Sequence, residues 1–258
     1  MLVNKLSVSV VTYNNTVEEI TLLLNSLLSS TVKCDIFVVD NSENSTLEQL
    51  VKTFANVHYY KMSKNIGFGA GHNFVLKKTT PQYKYHLAIN PDVFFEPTVL
   101  EALLQFMDAH PEVGNVMPKV LNLDSSIQYA CRQLPKPMDL FGRRFLPKSW
   151  MLKRNERYEM RESGYDAIME VPFLSGCFML LRTSVLQKVG LFDERYFLYF
   201  EDIDLNRRIQ TVAKTLFYPS VSIFHAAKHQ SYRDRKLTLI HIKSAIQYFN
   251  KFGWFPFF

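Results

Sequence analysis

Tyr85-His86-Leu87-Ala88-Ile89-Asn90-Pro91-Asp92-Val93 decides how this chain is read. Its first five residues are an apolar run too short for a helix and read as a buried strand. The strand closes on Asn90 and Pro91, and a carboxylate, Asp92, stands at its mouth. Open α/β sheets take ligands in the crevice outside the carboxyl ends of their strands. Two other predicted elements present acids in the same way: Val38-Val39-Asp40 earlier in the chain and Glu201-Asp202-Ile203-Asp204 later. Three acids at separate loop ends of one sheet point to a nucleotide, a metal and a proton acceptor.

Outward from that strand, strand and helix patterns alternate. Residues 6–12 (LSVSVVT) read as a strand, followed by a Tyr13-Asn14-Asn15 turn and a helix with Val17, Ile20, Leu23, Leu24, Leu27 and Leu28 at helical spacing. Ser/Thr-x-x-Glu capping boxes stand at residues 16–19, 45–48 and 98–101. Strands are expected over 36–40 and 57–60, and helices around 73–78 and from 98 to about 109. Such alternation through residue 110 predicts an α/β fold with a mostly parallel, Rossmann-like sheet covered by helices on both faces.

The pattern then breaks. Residues 124–170 carry prolines and a basic excess (Arg132, Lys136, Arg143, Arg144, Lys148, Lys153, Arg154, Arg157, Arg161) and read as a long, partly mobile excursion. Regular structure is expected again in a strand over 171–181, a helix over 184–189 stopped by Gly190, a helix from Glu201, a strand over 215–224 and a last helix over 237–252. The domain reading is one unit, 1–258, in three parts: 1–123, 124–236, and an amphipathic helix with an aromatic tail (237–258).

With 258 residues, 47% apolar and 21% charged, the chain has an ordinary globular composition. The net charge of +6 suits an anionic substrate or an anionic membrane surface, and no nucleic-acid partner is expected. Three widely spaced cysteines, Cys34, Cys131 and Cys177, give no disulfide framework and favour a reducing compartment. The start of the sequence runs straight into a strand without signal-peptide character, and no apolar run reaches the length of a membrane span. A cytoplasmic location is the expectation.

Each motif has a plain alternative. Asp40 can accept hydrogen bonds from a base or ribose, or it can close an Asx turn in Asp40-Asn41-Ser42. Residues 65–73 (NIGFGAGHN) are not a dinucleotide fingerprint, because the third glycine of that pattern falls on His72. Gly67 and Gly69 still permit close backbone approach, and the helix that follows offers amides to a phosphate. Asp92 is a hard oxygen ligand suited to Mg²⁺ or Mn²⁺, or else a turn acid. The acids of 201–204 complement a helix dipole with Arg207 and Arg208. Three of them behind the aromatic run 196–200 fit a general base better, since apolar neighbours raise a carboxyl pKa. His225 is a possible metal ligand and His229 a weaker one; either can equally be an ordinary histidine.

In this order the motifs resemble the inverting family 2 glycosyltransferases of the GT-A fold. The resemblance covers residues 6 to about 230 and rests on SVSVVTYNN, VVDNS, NIGFGAGHN, NPDV and SGCFMLLRTSVLQKVGLFDERYFLYFEDIDLNRR. Asn90-Pro91-Asp92-Val93 with FDERYFLYFEDIDL is similar to the bacterial rhamnosyltransferases of O-antigen and related cell-surface polysaccharide assembly. That implies dTDP-L-rhamnose as donor, a glycan acceptor carried on a lipid, and Mg²⁺ or Mn²⁺ as cofactor. It assigns Asp40 to the base and Asp92 to metal and diphosphate, with His225 as the second metal candidate. Asp202 becomes the general base, with Glu201 and Asp204 supporting it. Thr12, Tyr13, Asn14, Asn65, Gly67, Gly69, Asn73 and Asn90 would line the nucleotide-sugar pocket, and Arg208 would steady the acidic helix or a phosphate. Other readings are a transferase using a UDP-linked hexose, a sugar nucleotidyltransferase, which lacks its basic Gly-rich loop here, and a non-catalytic binding protein.

The last helix is amphipathic. Leu239, Ile242, Ile246 and Phe249 lie on one face, Lys236, Lys243, Gln247 and Asn250 on another, and Trp254, Phe255, Phe257 and Phe258 follow. Aromatics beside lysines are typical of interfacial anchors, so peripheral attachment to the inner face of the cell membrane is expected; burial of the apolar face in the protein's own core is the alternative.

Overall fold

The computed structural model describes residues 4–139, 148–226 and 235–254. Four parallel strands build the first half of the sheet: β1 (Asn4–Thr12), β2 (Asp35–Asp40), β3 (Val57–Lys61) and β4 (Tyr83–Ile89). The later strands are β5 (Val93–Phe95), β6 (Val113–Leu121), β8 (Met169–Glu170), β10 (Phe178–Arg182) and β11 (Lys214–His225). The sheet runs β3-β2-β1-β4-β10-β6-β11-β5, with β8 on β11, and a separate pair joins β7 (Cys131–Arg132) to β9 (Phe173–Leu174). Only β10, β5 and β8 run against their neighbours, so the sheet is mostly parallel and continues unbroken across residue 123.

Side-chain alternation on β1 explains the two layers. Leu6, Val8 and Val10 face one core with Ile20, Leu23, Leu24 and Leu27 of α1 (Val17–Leu28) and with Leu100, Leu103 and Leu104 of α4 (Val99–Ala109). The other face carries α3 (Phe68–Thr79), α6 (Thr183–Val189) and α7 (Glu201–Ile209), through Leu76, Val185, Leu186, Leu205 and Ile209. Ser7 and Ser9, on that second face, hydrogen-bond to the buried His86, and Ser9 also to His72.

Only the first capping box forms: Thr16 and Glu19 exchange hydrogen bonds with each other's backbone. At α2 (Leu47–Val51) and at α4 the N-caps, Thr46 and Thr98, have near-helical backbones that turn the hydroxyl away from the first turn. Ser45 meets the Leu47 amide instead, and Glu101 accepts from Thr31.

Three other expectations are corrected. Helix α3 begins five residues before the expected start, at Phe68. The strand expected over 171–181 is interrupted at residues 175–177, between β9 and β10. The described residues of 124–170 are more ordered than expected: they contain β7, helix α5 (Lys148–Tyr158) and a 3₁₀ turn, Arg161–Ser163. Buried Tyr165 holds it together, its hydroxyl meeting both the amide and the carbonyl of Cys131 and the carbonyl of Glu159. Arg143 and Arg144 lie outside the described residues.

Helix α8 (Arg235–Phe252) docks on Phe173, Tyr196, Phe200 and Ile203 by Ala245, Tyr248 and Phe249. Phe249 therefore faces inward, whereas Leu239 and Ile246 are exposed, so the single apolar face read from the sequence is divided. Trp254 packs back on Phe249 and donates to Asn250. Phe255, Phe257 and Phe258 lie outside the described residues. No helix among the described residues is long and apolar enough to cross a membrane.

Gly67 fixes how α3 meets the 196–200 segment. Its φ is +90°, and a Cβ there would lie 2.3 Å from the Phe197 carbonyl oxygen. Gly67→Ala is expected to destabilise the fold by the roughly 1–3 kcal/mol of a strained backbone or more. Thermal denaturation reads this as a lower Tm, about 2–4 °C for each kcal/mol in a domain of this size.

Candidate active site

The parallel register places the ends of β1, β2 and β4 on one edge of the sheet: Thr12 pairs with Asp40, and Val10 with Ile89. Asp40 is inaccessible to solvent. Its carboxylate accepts from Thr12 Oγ1 (3.1 Å), the Ser42 amide (2.9 Å) and the Tyr59 hydroxyl (2.6 Å). Burial alone would raise its pKa, but hydrogen bonds from Ser45, Tyr59 and Ser42 outweigh that and hold it below the ordinary value. Both oxygens thus serve the chain's own loops, including the Asx turn that was the plain alternative. Tyr59, which the sequence reading passed over, is the partner that fixes the carboxylate. Asn14 adopts a left-handed backbone and donates its amide to Ser42, leaving Tyr13 exposed at the rim.

The second acid sits where β4 gives way to β5. His225, the last residue of β11, pairs with Val93 and brings its Nε2 to 3.3 Å from Asp92 Oδ1 and 3.4 Å from Asn90 Nδ2. The other ring nitrogen, Nδ1, is 2.6 Å from Gln128 Oε1. Burial disfavours the imidazolium, but Cys177 and Asp92 beside it raise the pKa to about 10. Among the described residues no three His, Cys, Asp or Glu side chains converge as a closed metal centre. One carboxylate and one imidazole still fit a divalent ion that arrives with a diphosphate, whose oxygens and water complete the shell. His229 lies outside the described residues.

The acidic cluster divides. Tyr199 and Phe200 both adopt left-handed backbones immediately before α7, at φ 69° and 72°. That conformation costs about 1–2 kcal/mol per non-glycine residue. It is held by Phe200, which packs on His241 and Tyr248 of α8. The kinked turn aims Asp202 at the β9–β10 interruption, where Oδ2 accepts from the Gly176 amide (2.8 Å) and Oδ1 from its own neighbour Ile203 (2.9 Å). Burial raises the Asp202 pKa, opposed by those amides and by Arg132. Glu201 is raised well above its ordinary value, by burial first and then by Asp202; its Oε2 has no partner. Both carboxyls are pushed up, Glu201 the further, so the pair's charge favours Asp202 and its proton Glu201.

Asp204 has a different task. It is inaccessible, and it joins Arg208 (2.6 Å) and Lys251 (2.5 Å), tying α7 to α8. Its placement as a support for the base is corrected: it faces α8. Arg208 is likewise turned from any phosphate, donating to the carbonyls of Val189, Gly190 and Leu191; it steadies the acidic helix, the other half of the expectation. Asn73 lies inside α3 and pins Phe192 and Glu194. Asn65 caps the Gly67 amide, and Gly69 packs on Phe192 and Glu201. Asn73 and Gly69 thereby hold α3 against residues 192–201. Gln128, Arg132 and Gly176 emerge only in three dimensions: nothing in the periodicity of 124–177 marks them.

Comparison with known proteins follows the same lines. The glycosyl transferase family 2 model matches residues 7–190. N-acetylglucosaminyl-diphospho-decaprenol L-rhamnosyltransferase of Mycobacterium tuberculosis is 29% identical over 216 residues, 77% of this chain and 68% of that protein. Rhamnosyltransferase WbbL of Escherichia coli is 28% identical over 237 residues, 88% of this chain and 86% of that protein. Among solved structures, S. aureus TarS superposes with a TM-score of 0.61 at 19% identity, over 95% of this chain but 40% of that one. The mannosyltransferase PcManGT from Pyrobaculum calidifontis, in complex with GDP-Man and Mn²⁺, gives 0.63 at 15% identity, over 96% of this chain and 64% of that one. The mixed α/β sheet flanked by helices is the GT-A architecture of these glycosyltransferases.

Proposed function

The chain belongs to glycosyl transferase family 2, and from that premise we propose that it transfers L-rhamnose from dTDP-L-rhamnose, with inversion, to a lipid-linked glycan acceptor. The product is a unit of a bacterial cell-surface polysaccharide such as O-antigen. The observation that carries this reading is the convergence of the Asn90–Asp92–His225 corner and the Gly176-anchored Asp202 at one end of the sheet. Residues 1–123 bind the nucleotide sugar, 124–236 the acceptor, and 237–258 attach the protein to its surroundings, all within one domain.

In an inverting transfer the acceptor hydroxyl attacks the anomeric carbon opposite the departing dTDP. Asp202 takes the hydroxyl proton at the carboxylate that Gly176 and Ile203 hold in place. The raised Glu201 favours its proton, which lessens repulsion of the incoming oxygen. Asp92 and His225 would hold Mg²⁺ or Mn²⁺, which would supply positive charge to the leaving diphosphate. The Thr12-Tyr13-Asn14 turn and the Asp40 loop form the nucleotide side of the pocket.

A thermal-shift panel tests the donor. With a divalent ion, dTDP is expected to stabilise the protein more than UDP, GDP or CDP at equal concentration, because a ligand bound only by the folded state raises stability by mass action. A clearly larger shift with UDP removes the rhamnose assignment and favours a UDP-hexose donor.

Attachment to the cytoplasmic leaflet completes the reading. Leu239 and Ile246 form an outward apolar stripe on α8 with Lys236 and Lys243 beside it, which suits an anionic bilayer surface. Co-sedimentation with phosphatidylglycerol vesicles is expected to fall when Leu239 and Ile246 are both replaced by lysine. Equal pelleting of the two proteins rejects the role of α8.

A further inference from the structure

A cavity of about 980 Å³ lies between α5 and the docked end of α8, away from the Asp92 corner. Lys136, Lys153, Arg157 and Arg207 line it, with the half-buried Leu134 and Pro172 as its apolar side; Tyr248 and Phe249 border it but are buried in the docking core. Its third arginine, Arg154, is already matched by Asp139 (2.5 Å). Glu156 and Glu162 also reach the cavity, yet among the described residues neither forms an ion pair with any of the four remaining cations. Lys153 and Arg157 stand four apart on α5, an i,i+4 like-charge pair that weakens an isolated helix unless an anion lies between them. Arg207 donates to the Tyr248 hydroxyl (3.1 Å) and lies over the Phe252 ring, with no carboxylate of its own.

The cavity shares a helix with the base. Arg207 follows Asp202 by five residues on α7, a rise of roughly 7–8 Å at 1.5 Å per residue. Gln133 of the lining follows Arg132, whose charge acts on Asp202 and whose Nε is buried without a partner. On the helix that carries the base, a site with four cations and an apolar side has the chemistry for a diphosphate joined to a hydrocarbon chain.

We propose that this cavity binds the diphosphate and the first isoprene units of a polyprenyl-diphosphate-linked acceptor, holding the acceptor sugar one ring's length away at Asp202. The inference rests on the glycosyl-transfer reading above and adds the anchoring group of the acceptor. Arg guanidinium groups pair with phosphate oxygens in bidentate fashion, and Lys supplies point charge. Leu134 and Pro172 meet the hydrocarbon.

The test is direct binding of geranyl diphosphate by calorimetry, in EDTA so that no metal recruits it to Asp92. The Lys153→Gln/Arg157→Gln variant is expected to bind it about tenfold or more weakly, the loss of one to two charge-assisted contacts. Its Tm and its dTDP affinity, measured with Mg²⁺, should match those of the wild type. Arg207→Gln should show the same selective loss. Equal affinity of wild type and variants for geranyl diphosphate overturns the proposal. Phosphatidylglycerol vesicles that compete as well as geranyl diphosphate also overturn it, because the site then reads a lipid headgroup. If the wild type binds geranyl diphosphate through these residues but neither binds dTDP nor transfers rhamnose, the donor reading fails and the diphosphate site stands.

Discussion

Asp202→Asn is expected to lower sugar transfer by about 10²–10⁴-fold, the usual contribution of a positioned base, with dTDP affinity nearly unchanged. The substitution is close to isosteric, and its remaining oxygen can still accept from Gly176, so the β9–β10 interruption keeps its shape. What disappears is the acid of the 201–202 pair on which charge is favoured. The comparison with Glu201→Gln separates the two carboxyls. Glu201 is raised the further of the two, by burial and then by Asp202, so an amide there removes less charge, and transfer should fall far less. Single-turnover rates read beside nucleotide affinity distinguish a lost proton acceptor from a damaged pocket.

The pH profile gives an independent check on the same residue. Because burial raises the Asp202 pKa, its carboxylate is lost at a higher pH than that of an ordinary aspartate, near 3.9. The rate should therefore fall on acidification through an apparent pKa above that value. Near-normal turnover in Asp202→Asn would move the base to Glu201. It would not move it to Asp204, whose oxygens are committed to Arg208 and Lys251.

The parallel half of the sheet was legible because its signals are local. The run 85–89 is bounded by turn residues, α1 has a working capping box, and the acids at the strand ends follow from where ligands meet such sheets. Local signals also misled. Ser45 and Thr98 open the capping pattern, but α2 starts one residue later than that pattern places it, with Thr46 as N-cap, and the backbone at Thr46 and Thr98 is already near-helical. Asp202 and Asp204 are equivalent by sequence, two acids in the first turn of one helix. Only the docking of α8 decides that one meets Gly176 and the other Lys251. The order within 124–170 depends on the hydroxyl of Tyr165 closing on residue 131, a contact no periodicity encodes.

The metal corner carries the second large effect. Asp92→Ala is expected to abolish the extra stabilisation that Mg²⁺ or Mn²⁺ gives to bound dTDP, leaving whatever affinity the nucleotide has in EDTA. Among the described residues Asp92 is the carboxylate within reach of His225, so its loss leaves that corner an imidazole alone for a hard cation. Gln128 makes the prediction sharper. Its Oε1 lies 2.6 Å from His225 Nδ1 and holds the proton on that nitrogen, so an ion binding at Nε2 would displace the other proton, the one that Asp92 favours on the imidazolium. Partners of this kind orient a ligating imidazole, and losing one typically lowers metal affinity about 10–100-fold. Gln128→Ala should therefore weaken metal-supported dTDP binding by about that range without touching Asp92, while Gln128→Glu, which keeps an acceptor there, should retain most of it. A Gln128→Ala protein with wild-type metal response would remove His225 from the metal and leave Asp92 as its only protein ligand.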